Sequence, residues 1–85
     1  MASYRLLIKP SAVKELEALP HKNRLRVVSR IQRLSGNPRP PGCEKLLAED
    51  LYRVRQGDYR ILYSVNDAEL LVVIIKIGHR REVDR

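Results

Sequence analysis

Residues Leu51 to Val65 read LYRVRQGDYRILYSV. Apolar and polar side chains alternate up to Arg55, a Gln-Gly-Asp turn follows, and the alternation resumes at Tyr59. A period-two pattern interrupted by a short glycine-containing turn predicts an antiparallel hairpin. Successive side chains of a strand point to opposite faces. Tyr52 and Val54 therefore share a face with Ile61, Tyr63 and Val65, the apolar surface that a covering layer needs. Leu51, Arg53, Arg55, Arg60, Leu62 and Ser64 fall on the other face. The turn sets the register, and the register brings Arg53, Arg55 and Arg60 together.

Downstream, Asn66 and Asp67 predict a second turn. Leu70 to Ile77 (LLVVIIKI) is nearly all apolar, as expected of a central strand covered on both faces. A charged tail, Gly78 to Arg85, begins where this strand stops and adds His79, Arg80 and Arg81 at the same edge. Upstream, Asn37 to Gly42 (NPRPPG) predicts a loop. Before it, a helix runs from His21 or Lys22 to Gly36. Leu25, Val28, Ile31 and Leu34 recur on one side of it with Val27 beside them, while Lys22, Arg26, Arg30 and Arg33 form a cationic side. A first helix starts at Pro10 or Ser11 and ends at Pro20, with Val13, Leu16 and Leu19 on one face. Tyr4 to Lys9 predicts a short strand. The expected class is α+β: one domain over residues 1–85, a small antiparallel sheet with an N-terminal helical hairpin on one face, in the order β-α-α-β-β-β.

The composition narrows the function. Lys and Arg number 17 against 10 Asp and Glu, a net charge of +7 on 85 residues. Such a domain attracts polyanions. Three arginines on one sheet face repel one another unless an anion sits between them, and the guanidinium fork matches phosphate oxygens two at a time. The other reading of this face is a solvated surface with scattered ion pairs to Asp58, Glu82 or Asp84. The helix cations have the same two readings, RNA contact or plain solvation. Cys43 is the only cysteine, which excludes an intramolecular disulfide and fits a reducing cytoplasm. No apolar leader precedes Ser3 and Tyr4, and the apolar run Leu70 to Ile75 is too short to span a bilayer, so neither secretion nor membrane insertion is expected. His21 and His79 lack Cys or carboxylate partners at metal spacing, Ser11 and Ser64 lack a paired base, and Gly57 and Gly78 form no phosphate loop. No metal and no cofactor is expected.

Three segments carry a family resemblance: KPSAVKELEALP (Lys9 to Pro20), LYRVRQGDYRILYSV (Leu51 to Val65) and IKIGHRREV (Ile75 to Val83). With them, nearly the whole chain resembles the RelE/ParE toxin superfamily, and within it the RelE branch. The resemblance implies a prokaryotic toxin paired with a cognate antitoxin. It implies action in the ribosomal A site, where mRNA is cleaved without a metal and translation stops. In that chemistry the 2′-hydroxyl of one nucleotide attacks the adjacent phosphate and the 5′-oxygen of the next nucleotide leaves. Base, cationic and acid assistance are all needed. The family's catalytic positions fall on Arg53, Arg55, Arg60 and Arg80. The resemblance further implies an antitoxin whose acidic and apolar segment covers the groove, and operator DNA met only through the toxin–antitoxin complex.

Two positions depart from the family pattern. Asp84 stands where the closing motif usually has Tyr, so a carboxylate replaces a ring that would stack on a base or assist the hydroxyl. It reads as a detoxifying substitution, as a natural altered toxin, or as a different acid/base arrangement. Arg53 and Arg55 stand where some relatives have Lys, and Arg does not deprotonate in proteins, so neither is a general base. Two competing functions share the fold: a ParE-type gyrase inhibitor that cleaves no RNA, and a non-enzymatic co-repressor acting with its antitoxin on operator DNA.

Overall fold

The computed structural model describes residues 3–47 and 50–79. Its elements are β1 (Arg5–Ile8), α1 (Pro10–Glu17), α2 (His21–Leu34), β2 (Glu44–Lys45), β3 (Leu51–Gln56), β4 (Tyr59–Asn66) and β5 (Leu71–His79). The hairpin read from the alternation is β3–β4. Gln56 pairs with Tyr59, which leaves Gly57 and Asp58 as a two-residue loop. Gly57 has φ 61°, the positive value that such tight hairpin loops demand and that glycine adopts without penalty. Pro10 begins α1 within its first turn, and Pro20 separates the two helices.

The strand order is β1-β5-β4-β3-β2. The pairs β2–β3, β3–β4 and β4–β5 are antiparallel, whereas β1 pairs parallel with β5. The expected α+β class and element order hold, but the sheet is mixed. Short turns make antiparallel neighbours, and a parallel neighbour needs a crossover, which the helical hairpin and the later strands provide here. β2 was not expected. Two residues carry no readable alternation, and this strand exists only because the edge of β3 offers it a partner. β5 is central as predicted and extends to His79, beyond the expected end at Ile77. It is not covered on both faces: Val72, Ile74 and Ile77 are buried, while Leu71, Val73 and Ile75 are only half-buried.

The core lies between the helices and one sheet face. It joins Ala12, Val27, Ile31 and Leu34 to Tyr52, Val54, Ile61, Tyr63 and Val65 and to the buried side of β5. Both helices sit rotated from the stripes read in the sequence. Ala12, not Val13, is the buried residue of α1. In α2 the buried stripe is Val27, Ile31 and Leu34, while Leu25 is 57% exposed. In α1 the small Ala12 lets the helix approach the sheet closely.

Two polar anchors tie the loop after α2 to the sheet. The buried Tyr63 hydroxyl donates to the Pro38 carbonyl at 2.7 Å, and burial raises its pKa. Arg39 donates both terminal nitrogens to the Asp67 carboxylate, at 3.1 and 2.8 Å, and its Nε to the Tyr52 hydroxyl at 3.0 Å. The Tyr4 hydroxyl donates to the same carboxylate at 2.6 Å. Elsewhere, β1 ends opposite Ile74, and the Ile77 amide beyond it donates to Glu15 Oε1 at 3.0 Å, so α1 satisfies the exposed edge of β5. No helix among the described residues is long and apolar enough to cross a membrane.

Candidate nucleic-acid interface

The open sheet face, away from the helices, carries the cations. Tyr52 and Val54 are buried on the helix side, and so are Ile61 and Tyr63. The residues between them therefore face outward. Arg55 pairs with Arg60 across the hairpin, and Arg53 pairs with Leu62. Alternation thus brings Arg53, Arg55 and Arg60 onto one surface, as the sequence predicts. Like charges directly opposite each other destabilise a sheet by roughly 0.2–1 kcal/mol. Among the described residues, the Glu44 carboxylate offsets part of this. Glu44 lies opposite Arg53 on β2, and its Oε2 accepts from Arg53 Nη2 at 3.2 Å. An exposed pair of this kind contributes about 0–1 kcal/mol.

Lys76 joins the same surface, and the sequence reading missed it. Strict alternation along LVVIIKI would put Lys76 on the core side with Val72 and Ile74. The structure avoids burying the ammonium with a β-bulge. Tyr63 pairs with Ile74 and Leu62 with Lys76, so Ile75 is the extra residue between them. Beyond the bulge Ile77 is buried and Lys76 is half-buried opposite Leu62, on the open face. The available signal was a lone lysine two residues after a buried position, followed by another isoleucine.

The remaining predicted residues separate. Lys22, Arg26 and Arg33 are exposed on α2, whereas Arg30 is half-buried. His79 pairs with Tyr59, and the two rings meet edge-on with centroids 6.1 Å apart. That places His79 on the helix side of the sheet end, while Arg60 pairs with Gly78 on the open side. Asn23 Nδ2 donates to the Tyr59 hydroxyl at 3.2 Å, and Arg26 lines a cleft of about 230 Å³ with Tyr59, Asp58 and His79. Arg80, Arg81 and Asp84 lie outside the described residues. Among the described residues, no group of three or more His, Cys, Asp and Glu is placed to hold a metal ion.

The open face has two chemically distinct halves. Arg53, Arg55, Arg60 and Lys76 occupy the end near the β3–β4 turn and the end of β5. Toward the start of β5 the register aligns Leu51 with Ser64, Ser64 with Val73, and Val73 with Leu7. Leu7 is 53% exposed there. A cationic surface beside an apolar one suits a phosphate backbone at one end and an amphipathic, acidic chain across both.

Comparisons with known proteins identify the family and the fold. Residues 6–84 match the family described as ParE toxin of type II toxin-antitoxin system, parDE. The toxin RelE of Mycobacterium tuberculosis is 35% identical over 81 residues, covering 91% of this chain and 81% of that protein. The fold superposes on the archaeal RelE–RelB complex from Pyrococcus horikoshii with a TM-score of 0.83 at 36% identity, covering 92% of this chain and 96% of that one. It superposes on the RelBE2 toxin–antitoxin complex of Mycobacterium tuberculosis with a TM-score of 0.82 at 30% identity, covering 94% of each chain.

Proposed function

Because this chain belongs to the RelE/ParE toxin superfamily and is thereby a toxin of a toxin–antitoxin pair, we propose that it is a ribosome-dependent mRNA endoribonuclease acting in the cytoplasm without a metal. The observation that carries this reading is the convergence of Arg53, Arg55 and Arg60 on one open face, with Lys76 beside them. Guanidinium forks there would hold the non-bridging oxygens of the scissile phosphate and gain strength as charge builds in the transition state. The 2′-oxygen bonds to phosphorus, the bond from phosphorus to the 5′-oxygen breaks, and the products are a 2′,3′-cyclic phosphate and a 5′-hydroxyl. Arg80 would support the leaving oxygen. Arg81, His79 and the cations of α2 would contact RNA outside the reacting phosphate. Asp84, in the place of the usual Tyr, attenuates cleavage.

The partner is a cognate antitoxin, as in the RelE–RelB complexes that this chain resembles. An acidic and apolar antitoxin segment would cover the open face, neutralising the arginines and burying Leu7 and Val73. Operator DNA would be met only through that complex.

Primer extension on a translated message tests this reading. Ribosome-dependent cuts are expected, weak with this chain and stronger with Asp84→Tyr. Equal cleavage by both forms would sink the role given to Asp84, and no cleavage by either would sink the enzymatic reading. A second reading, a gyrase inhibitor, draws on the family description as a ParE toxin. A supercoiling assay on gyrase separates the two. Operator binding by the toxin–antitoxin pair without growth arrest from the toxin would favour a co-repressor.

A further inference from the structure

We propose that Arg30 of α2 and Arg55 of β3 form a second phosphodiester subsite, which wraps the free edge of β3 and carries single-stranded RNA from the sheet face onto the helix layer. The inference rests on the RNA-binding reading above and adds a path and a residue to it. β2 covers β3 only opposite Tyr52 and Arg53. Next to that covered stretch, Arg30, Gly42, Glu44 and Arg55 line a pocket of about 360 Å³. Two cations from opposite layers of the molecule thus meet in one concavity.

Of the four helix cations Lys22, Arg26, Arg30 and Arg33, the rotation of α2 singles out Arg30. With Val27, Ile31 and Leu34 buried, Arg30 lies about 60° from Val27 around the helix, against about 100° for Arg26, 120° for Arg33 and 140° for Lys22. Of those four it is therefore the cation nearest the buried stripe; Arg24, the fifth cation of α2, lies on the other side of the stripe and donates to the Leu19 carbonyl at 3.4 Å. The Arg30 Nε is buried with no hydrogen-bond partner among the described residues. Gly42 lines the pocket with φ 89°, a backbone conformation that L side chains rarely adopt. Glu44 is the anion already in the pocket, and it competes with an incoming phosphate for the arginines.

Fluorescence anisotropy with a labelled single-stranded oligoribonucleotide, without ribosomes and over a salt series, tests the subsite. Arg30→Gln keeps the packed stem and should weaken binding several-fold. It should also reduce the slope of log affinity against log salt by about 0.7, one contact on a single strand. Glu44→Gln should tighten binding. Lys14→Ala on α1 loses the same charge elsewhere and should change little. If Arg30→Gln behaves like Lys14→Ala while Arg55→Gln weakens binding, the subsite is wrong and the RNA reading stands. If neither arginine variant changes binding, both are wrong. Loss of ribosome pelleting by Arg30→Gln with unchanged oligonucleotide affinity would assign Arg30 to ribosomal RNA and overturn the path proposed here.

Discussion

Arg55 stands directly opposite Arg60 across the β3–β4 hairpin. The arrangement works against stability and in favour of anion binding. Arg55→Gln should therefore raise stability by roughly 0.2–1 kcal/mol, the cost of like charges facing each other in a sheet. The same change should reduce toxicity. Thermal melts beside a growth-arrest assay check the pair of effects, and a variant that is both less stable and equally toxic would remove the basis for the site.

Lys76 makes a separate case, because a bulge turns it onto the cationic face. Lys76→Gln should leave the melting temperature nearly unchanged and weaken RNA binding, with a salt slope smaller by about 0.7. A salt series in an RNA-binding assay measures it. An unchanged slope would mean that the lysine merely solubilises this end of β5.

The Arg39–Asp67–Tyr4 network predicts a pH profile. The bonds from Arg39, and then from Tyr4, hold the Asp67 carboxyl below its ordinary value. A depressed carboxyl stabilises the fold above its unfolded pKa, about 3.9, and the contribution disappears as pH falls through the lowered value. The Tyr4 hydroxyl is raised, first by its bond to Asp67. Its contribution is present below about pH 10 and is lost as pH rises through the raised value. Asp67→Asn should flatten the acid limb of melting temperature against pH. An acid limb as steep as that of the parent chain would show that other carboxylates control it.

Tyr63→Phe tests the anchor beneath the loop. The substitution keeps the ring and removes the donor to the buried Pro38 carbonyl. Leaving that acceptor unsatisfied should cost about 1–3 kcal/mol. In urea unfolding this appears as a lower midpoint with an unchanged slope. A midpoint equal to that of the parent would mean that water replaces the hydroxyl.

The hairpin and its arginines were legible because period-two alternation is local. LYRVR and YRILYSV sort their own side chains, and a two-residue loop leaves the register little freedom. The helices were legible as elements but not in their rotation. Leu25 and Val28 fit an apolar stripe on paper as well as Val27 does. Only packing against the sheet chose Val27, Ile31 and Leu34 and so brought Arg30 toward β3. The bulge at Ile75 and the short β2 were equally hidden, since each depends on what the neighbouring strand presents.

By itself, then, the sequence determined that this chain is a basic α+β domain with Arg53, Arg55 and Arg60 on one sheet face, because strand alternation is set residue by residue along the chain. Tertiary structure alone decided that Lys76 joins them, that His79 turns to the other face and that Arg30 meets Arg55 at the edge of β3. Those placements follow from pairing register and helix rotation, which arise only when separate elements compete to bury their apolar surface together.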